Sequence, residues 1–231
     1  MKFKWFLHIR GIEIPTLTLI IFLIAFVWAM GMVIAPFTLP ENSVEDLTGK
    51  VGTIDNADIT EDMNPYAKFY YQAGDSQCHT IKERSFFLNG NQMPFCVRDA
   101  AIFFGLAMGL GIALFVFYEI KLWWLIGGLV PLGIDGMVQL VTSYESNNVL
   151  RLITGLLAGL VTSLALGFVL WDTSRAAEMK QMAVPPPSMI DENGGEVGDK
   201  VPILVPAGDW KQTVDEQEKE DDIQTIEMEQ R

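Results

Sequence analysis

The chain has 231 residues, half of them hydrophobic, a mean hydropathy of +0.26 and a formal net charge of −13. Apolar residues and charges in these amounts coexist only when segregated along the chain, which excludes an ordinary soluble domain. The acidic excess lies in residues 37–98, with nine Asp and Glu against five Lys and Arg, and in residues 172–231, with fifteen against six; no basic footprint exists for a phosphate backbone, so nucleic acid is excluded as a partner.

Residues 1–15 hold Lys2, Lys4 and Arg10 and are expected on the cytoplasmic side by the positive-inside bias. Apolar blocks then recur at 16–36, 99–118, 122–141 and 151–171, each long enough at about 1.5 Å per residue to span a hydrocarbon core of about 30 Å. The pattern predicts an all-α membrane protein with four transmembrane helices. The first block exceeds the roughly 7–15 apolar residues of a secretory signal and lacks a small-x-small cleavage site, so it reads as a retained anchor.

Residues 37–98 turn polar, with Pro40, Gly49, Gly52 and Pro65 as punctuation, which predicts a small extracytoplasmic domain between helices 1 and 2. Asn64-Pro65 reads as the cap and first-turn proline of a short helix whose aromatic face, Tyr66, Phe69, Tyr70 and Tyr71, is expected at the bilayer interface. Asn89-Gly90-Asn91, flanked by residues 84–88 and 92–95, predicts a short hairpin that returns Cys96 toward Cys78, with Pro94 limiting the pairing to an edge or a few residues.

Gly105 and Gly109 in the second span, and Gly155 and Gly159 in the fourth, have the four-residue spacing that lets helix backbones approach in lipid. Only Glu119-Ile120-Lys121 separates the second and third spans, so they form a tight antiparallel pair. Asn147 and Asn148 read as the cap of the fourth. Beyond residue 171, Pro185-Pro186-Pro187 and the acidic residues 209–231 predict a disordered acidic tail over 172–231, cytoplasmic like the amino terminus, with a cytoplasmic protein as its expected partner.

This topology brings two loops and the ends of three helices to one outer face. There lie the chain's two cysteines, Cys78 and Cys96, one of its two histidines, His79, and Arg84, Arg98, Asp99, Asp135, Gln139, Glu145, Asn148 and Arg151. Asp135 and Gln139 share a helix face one turn apart, and an ionisable residue at that depth needs a partner such as Arg98 or Arg151. Three readings of the cysteines stay open. A disulfide would close a loop of nineteen residues and contribute about 3 kcal/mol. A metal site, zinc being the natural ion, would take Cys78, His79, Cys96 and Asp99 as ligands. A reactive thiol would use His79 or Arg98 to favour its thiolate. Phosphate loops, nucleophile elbows, His-Glu-x-x-His and paired Cys-x-x-Cys motifs are absent from the sequence.

The runs Cys78-His79-x4-Arg84-Ser85-Phe86-Phe87-Leu88-Asn89-Gly90-x-Gln92-Met93-Pro94-x-Cys96-x-Arg98, Pro131-Leu132-x2-Asp135-Gly136-x2-Gln139 and Glu145-Ser146-x-Asn148-x2-Arg151-x2-Thr154-Gly155 resemble a family of small polytopic membrane proteins of archaea and bacteria, domain of unknown function 2085. The resemblance covers about residues 76–160 and not the acidic tail. It implies a membrane protein in which these motifs act together. Many members look as if they carry Cys-x-Arg-Cys where this chain has Cys96-Val97-Arg98-Asp99; that departure weakens a three-cysteine metal site and leaves Asp99 as no more than a substitute ligand.

Two function classes follow. One is a metal- or redox-linked membrane protein whose arginines receive an anionic lipid or small molecule. The other is a disulfide-stapled, non-enzymatic scaffold or complex subunit, with oligomerisation open to either.

Overall fold

The computed structural model describes residues 4–9, 12–50, 52–116 and 118–182; the triproline segment and the acidic stretch beyond 182 lie outside the described residues. The chain is mostly helical. Strands β1 (Phe6–Ile9) and β2 (Ile12–Pro15) pair antiparallel and lead straight into α1 (Thr16–Ile34). Pro15 precedes the first helical residue, where its missing N–H costs nothing, and Pro36 ends the regular helix by passing it into one 3₁₀ turn, Ala35–Thr38.

The polar region that follows contains a single helical turn, α2 (Ala57–Thr60), then α3 (Pro65–Gln77) and the strands β3 (Phe87–Leu88) and β4 (Asn91–Gln92). The Asn64 side chain caps α3 by accepting from the Tyr66 and Ala67 amides at 3.1 and 3.0 Å. Asn89 and Gly90 both have positive φ, 54° and 70°, the requirement of a two-residue hairpin turn of this hand. The aromatic face of α3 is not simply interfacial: Tyr70 and Tyr71 are buried with Ala29, Met32, Leu47 and Phe95 in a core that joins α1 to this region, while Tyr66 and Phe69 stay exposed. The geometric reason is Gly31 of α1, whose missing side chain leaves the space taken by the Tyr70 ring.

Two buried amides replace the regular hydrogen bonding that so loop-rich a segment lacks. Asn91 accepts from the Ser43 and Val44 amides and donates to the Pro36 and Pro40 carbonyls. Gln92 accepts from the Leu47 amide and donates to the Thr80 carbonyl and Ser85 hydroxyl. Buried polar groups are tolerated only when so satisfied.

Helix α4 (Val97–Ala113) is followed by α5 (Leu122–Val141) and α6 (Asn148–Met182). The stretches Thr16–Thr38, Leu122–Val141 and Asn148–Lys180 are long and apolar enough to cross a membrane. Helix α4 stops several residues before the expected end at 118 and falls short of that length; its last turn tightens as the Phe115 amide bonds to the Ile112 carbonyl. Helix α6 continues about three turns past residue 171, because Ala176-Ala177-Glu178-Met179-Lys180 is strongly helix-forming. The compact unit that contains the site ends at Trp171, within this helix.

Glycines seat α4 against α6. A Cβ on Gly105 would lie 2.4 Å from the Leu156 carbonyl oxygen, one on Gly159 2.2 Å from that of Ile102, and one on Gly155 2.6 Å from that of Arg98. Only bare backbone fits at such distances, as the four-residue spacing predicts.

Candidate functional site

Cys78 ends α3 and is held in the buried core, its amide bonded to the Gly74 carbonyl at 2.8 Å. Gly74 also admits the returning strand: a Cβ there would fall 1.7 Å from the Pro94 carbonyl oxygen. The Tyr71 hydroxyl fixes that strand by donating to the Gln92 carbonyl at 2.7 Å. The close pass of Pro94 over α3 delivers Cys96 to Cys78, and the Cys96 amide donates to the Cys78 sulfur at 3.2 Å. Both cysteines are free thiols.

Cys96 is the residue before the first turn of α4, with Asp99 in that turn. The Cys78 and Cys96 sulfurs and a carboxylate oxygen of Asp99 all lie within 4.8 Å of one another. The Cys78 thiol is pushed well above its usual range, first by its hydrogen bond to Cys96 and then by burial. The same hydrogen bond lowers Cys96, outweighing burial and the Asp99 carboxylate, which raise it. One proton is thus retained on Cys78 while Cys96 carries the more available sulfur, as expected for a thiol at a helix N-terminus.

His79 does not join this triad. Cys78 has extended backbone angles, φ −132° and ψ 148°, and consecutive side chains on extended backbone point to opposite sides. With Cys78 directed inward, His79 is exposed and lies on the wall of a cavity of about 250 Å³ shared with Gln77, Cys78, Cys96, Asp99 and Arg84.

Arg98, Gln139 and Arg151 complete that cavity. Arg98 Nη2 is ion-paired with Asp135 Oδ2 across α4 and α5, and the Asp135 side chain is 4% exposed. Gln139 donates to Asp135 Oδ2 at 3.0 Å and to the Ser146 hydroxyl at 3.3 Å, and Ser146 donates to the same carboxylate oxygen at 3.3 Å. Arg84 pairs with Glu145 at 2.9 Å, joining the Cys loop to the loop between α5 and α6. Asn147, rather than Asn148, caps α6 by accepting from the Leu150 amide at 2.8 Å. Asn148 instead accepts from Arg151 Nη1 at 3.4 Å, and Gln139 Oε1 from Arg151 Nη2 at 3.3 Å.

The sequence-predicted residues are therefore brought together around one cavity, with Asp135, Glu145 and Asn148 standing behind its lining. Ser146 and Gln77 are additions. Ser146 lies inside the Glu-Ser-x-Asn motif, so its position carried a signal; Gln77 carried none.

A family model described as "Predicted membrane protein (DUF2085)" matches residues 78–165, from the first site cysteine to well past Arg151. An uncharacterized protein of Methanothermobacter thermautotrophicus is 36% identical over 86 residues, which cover 36% of this chain and 78% of the relative. The chain belongs to the domain of unknown function 2085 family. A second relative, an uncharacterized protein of Methanocaldococcus jannaschii, is 40% identical over 87 residues, 36% of this chain; this chain spans just over half, 56%, of that protein's length. No solved structure matches the chain. Every residue assembled around the cavity except Gln77 falls within the matched segment, so the family's shared portion contains the site and not helix α1. Membership places the chain among predicted membrane proteins, and its apolar helices contact the bilayer.

Proposed function

We propose that this protein is a membrane-bound metal protein, with a thiophilic divalent ion, zinc by preference, held by Cys78, Cys96 and Asp99. The observation that carries the reading is the convergence of three ligand atoms within 4.8 Å. Tetrahedral zinc with Zn–S bonds of about 2.3 Å places two sulfurs about 3.8 Å apart, a separation that falls within the 4.8 Å bounding these ligand atoms. Three protein ligands leave a fourth position open toward the cavity, the pattern of zinc sites that bind an exogenous group.

Charge supports the same reading. With both thiols protonated, Arg84, Arg98 and Arg151 offset Asp99, Asp135 and Glu145 one for one. A divalent cation that displaces two thiol protons leaves this balance unchanged, so the site accepts the ion without acquiring buried net charge. Proton release also makes affinity rise with pH until both sulfurs are thiolates.

In this reading α4 is a fourth span, about 26 Å long at 1.5 Å per residue, seated by its glycines on α6. Both termini are cytoplasmic and the metal faces outward.

The test is metal analysis of the full-length protein purified in mild detergent, with intact mass under non-reducing conditions. About one zinc per chain is expected, falling at least tenfold in Cys96→Ser and little changed in His79→Ala. A wild-type protein without zinc and 2 Da light would instead be a disulfide-stapled scaffold, and the metal reading would be abandoned. An impermeant thiol reagent that reaches Cys96 only from the cytoplasmic side would overturn the orientation.

A further inference from the structure

Of the cavity's three arginines, two have acidic partners. Arg84 pairs with Glu145 and Arg98 with Asp135. Arg151 is the most enclosed, only 2% exposed, yet among the described residues it forms no ion pair. Its recorded side-chain bonds are two long contacts to the neutral amide oxygens of Asn148 and Gln139, at 3.4 and 3.3 Å. A guanidinium has five N–H donors, so most of its hydrogen-bonding capacity is unused, and no carboxylate is in contact with it, Glu145 acting on its charge only from a distance. Arg98 Nε and Arg84 Nε are likewise buried without acceptors.

A cation this deep with no carboxylate in contact is costly and marks a place for an anion. The chemistry narrows the anion. Planar guanidinium forks match the oxygen spacing of carboxylates and phosphates, and several forks around one cavity suit a group with three or more acceptor oxygens. A cavity of about 250 Å³ holds the volume of roughly eight waters at about 30 Å³ each, ample for a phosphate with its substituent.

We infer that the cavity binds a phosphate group through Arg151, with Arg98 and Arg84 as flanking donors. The inference goes beyond the metal reading and does not need it, since Arg151 has no carboxylate in contact whether or not an ion is present. With zinc in place, Cys78, Cys96 and Asp99 line the same cavity, so one phosphate oxygen would complete the open coordination position. The group has two sources with this chemistry: free phosphate and its small esters, or the headgroup of an anionic phospholipid.

The experiment uses the full-length protein in detergent containing EDTA, which separates phosphate binding from metal binding. Equilibrium dialysis against ³²P-labelled inorganic phosphate is run beside native mass spectrometry of protein released from nanodiscs of phosphatidylcholine with phosphatidylglycerol. Saturable phosphate uptake, weakened about tenfold or more in Arg151→Gln and several-fold in Arg151→Lys, supports a free phosphate ligand. Retention of one phosphatidylglycerol in preference to phosphatidylcholine, lost in Arg151→Gln, supports the lipid headgroup. Failure of the wild type to bind phosphate or to prefer phosphatidylglycerol overturns the inference. So does unchanged affinity in whichever variant elutes as a folded, monodisperse species.

Discussion

Helices α4 and α5 are neighbours in sequence but are held by opposite means. Helix α4 meets α6 backbone to backbone at Gly105, Gly155 and Gly159 and also packs along α1. Helix α5 is exposed along nearly its whole length; only Gly128 and Asp135 are buried. One is a small steric contact with Val161 and the other is the ion pair to Arg98. In a bilayer, apolar side chains gain nothing by leaving lipid for another helix. Close packing and polar pairing must do the work, and here they are divided between two helices. The site lies where they meet, because Arg98 belongs to the packed helix and Asp135 and Gln139 to the pinned one.

The largest effect should come from removing the pin. Asp135→Ala leaves Arg98 without its carboxylate and should cost about 3–5 kcal/mol, measured by equilibrium denaturation in mixed micelles. Adding Arg98→Met to that variant should recover part of the loss, since it removes the unpaired charge, although Gln139 and Ser146 still lose an acceptor. A double variant as unstable as the single one would show that α5 is held chiefly by contacts other than this pair.

Widening the glycine seam should have a smaller effect. Gly159→Leu forces α4 and α6 apart against backbone atoms and should cost about 1–3 kcal/mol. It also moves the start of α4, where Cys96 and Asp99 sit. In the wild type at pH 7–8, iodoacetamide should alkylate Cys96 well before Cys78, since the hydrogen bond lowers the first thiol while that bond and burial raise the second. In Gly159→Leu this preference should shrink. An unchanged preference would mean that the seam supports the helices without positioning the site.

These contrasts indicate what the sequence could and could not reveal. The glycine seam was legible because spacing alone encodes it, and Asn89-Gly90 because its turn demands positive φ at both positions. A four-span order led to the expectation that the Cys loop meets Asp135, Gln139 and Arg151, and the structure places Gln139 and Arg151 on the Cys cavity with Asp135 behind them. His79 lines the cavity but lies outside the group of converging ligand atoms. Adjacency in sequence says nothing about direction, and extended backbone at Cys78 turns the two side chains apart. The β1–β2 hairpin was hidden because Lys2, Lys4 and Arg10 read as a charged flank to the first span. The helix beyond Trp171 was obscured by reading its charges, Asp172, Arg175, Glu178 and Lys180, as the start of the tail when they equally suit an exposed helix. Asn91 and Gln92 offered no sign that they would be the buried stitches of the outer region, because that role depends on partners some fifty residues away in sequence.

The smallest expected effect probes the bare side of α5. A Cβ on Gly127, Gly133 or Gly136 meets nothing within 4 Å, so the open space there belongs to lipid unless another protein surface fills it. Replacing a helix-interior glycine by alanine in open space removes backbone entropy from the unfolded chain and should stabilise by about 0.5–1 kcal/mol. Gly127→Ala should therefore raise the denaturation midpoint slightly, and Gly127→Leu should be tolerated because lipid accommodates the extra carbons. The contrasting result, a loss of stability that grows from alanine to leucine, would mean that the glycine admits a close neighbour, as Gly159 does within the chain. Cross-linking in the native membrane would then distinguish a second copy from another protein. Helix α5 would become a packed helix, and its apparent dependence on the Asp135–Arg98 pair would belong to the isolated chain alone.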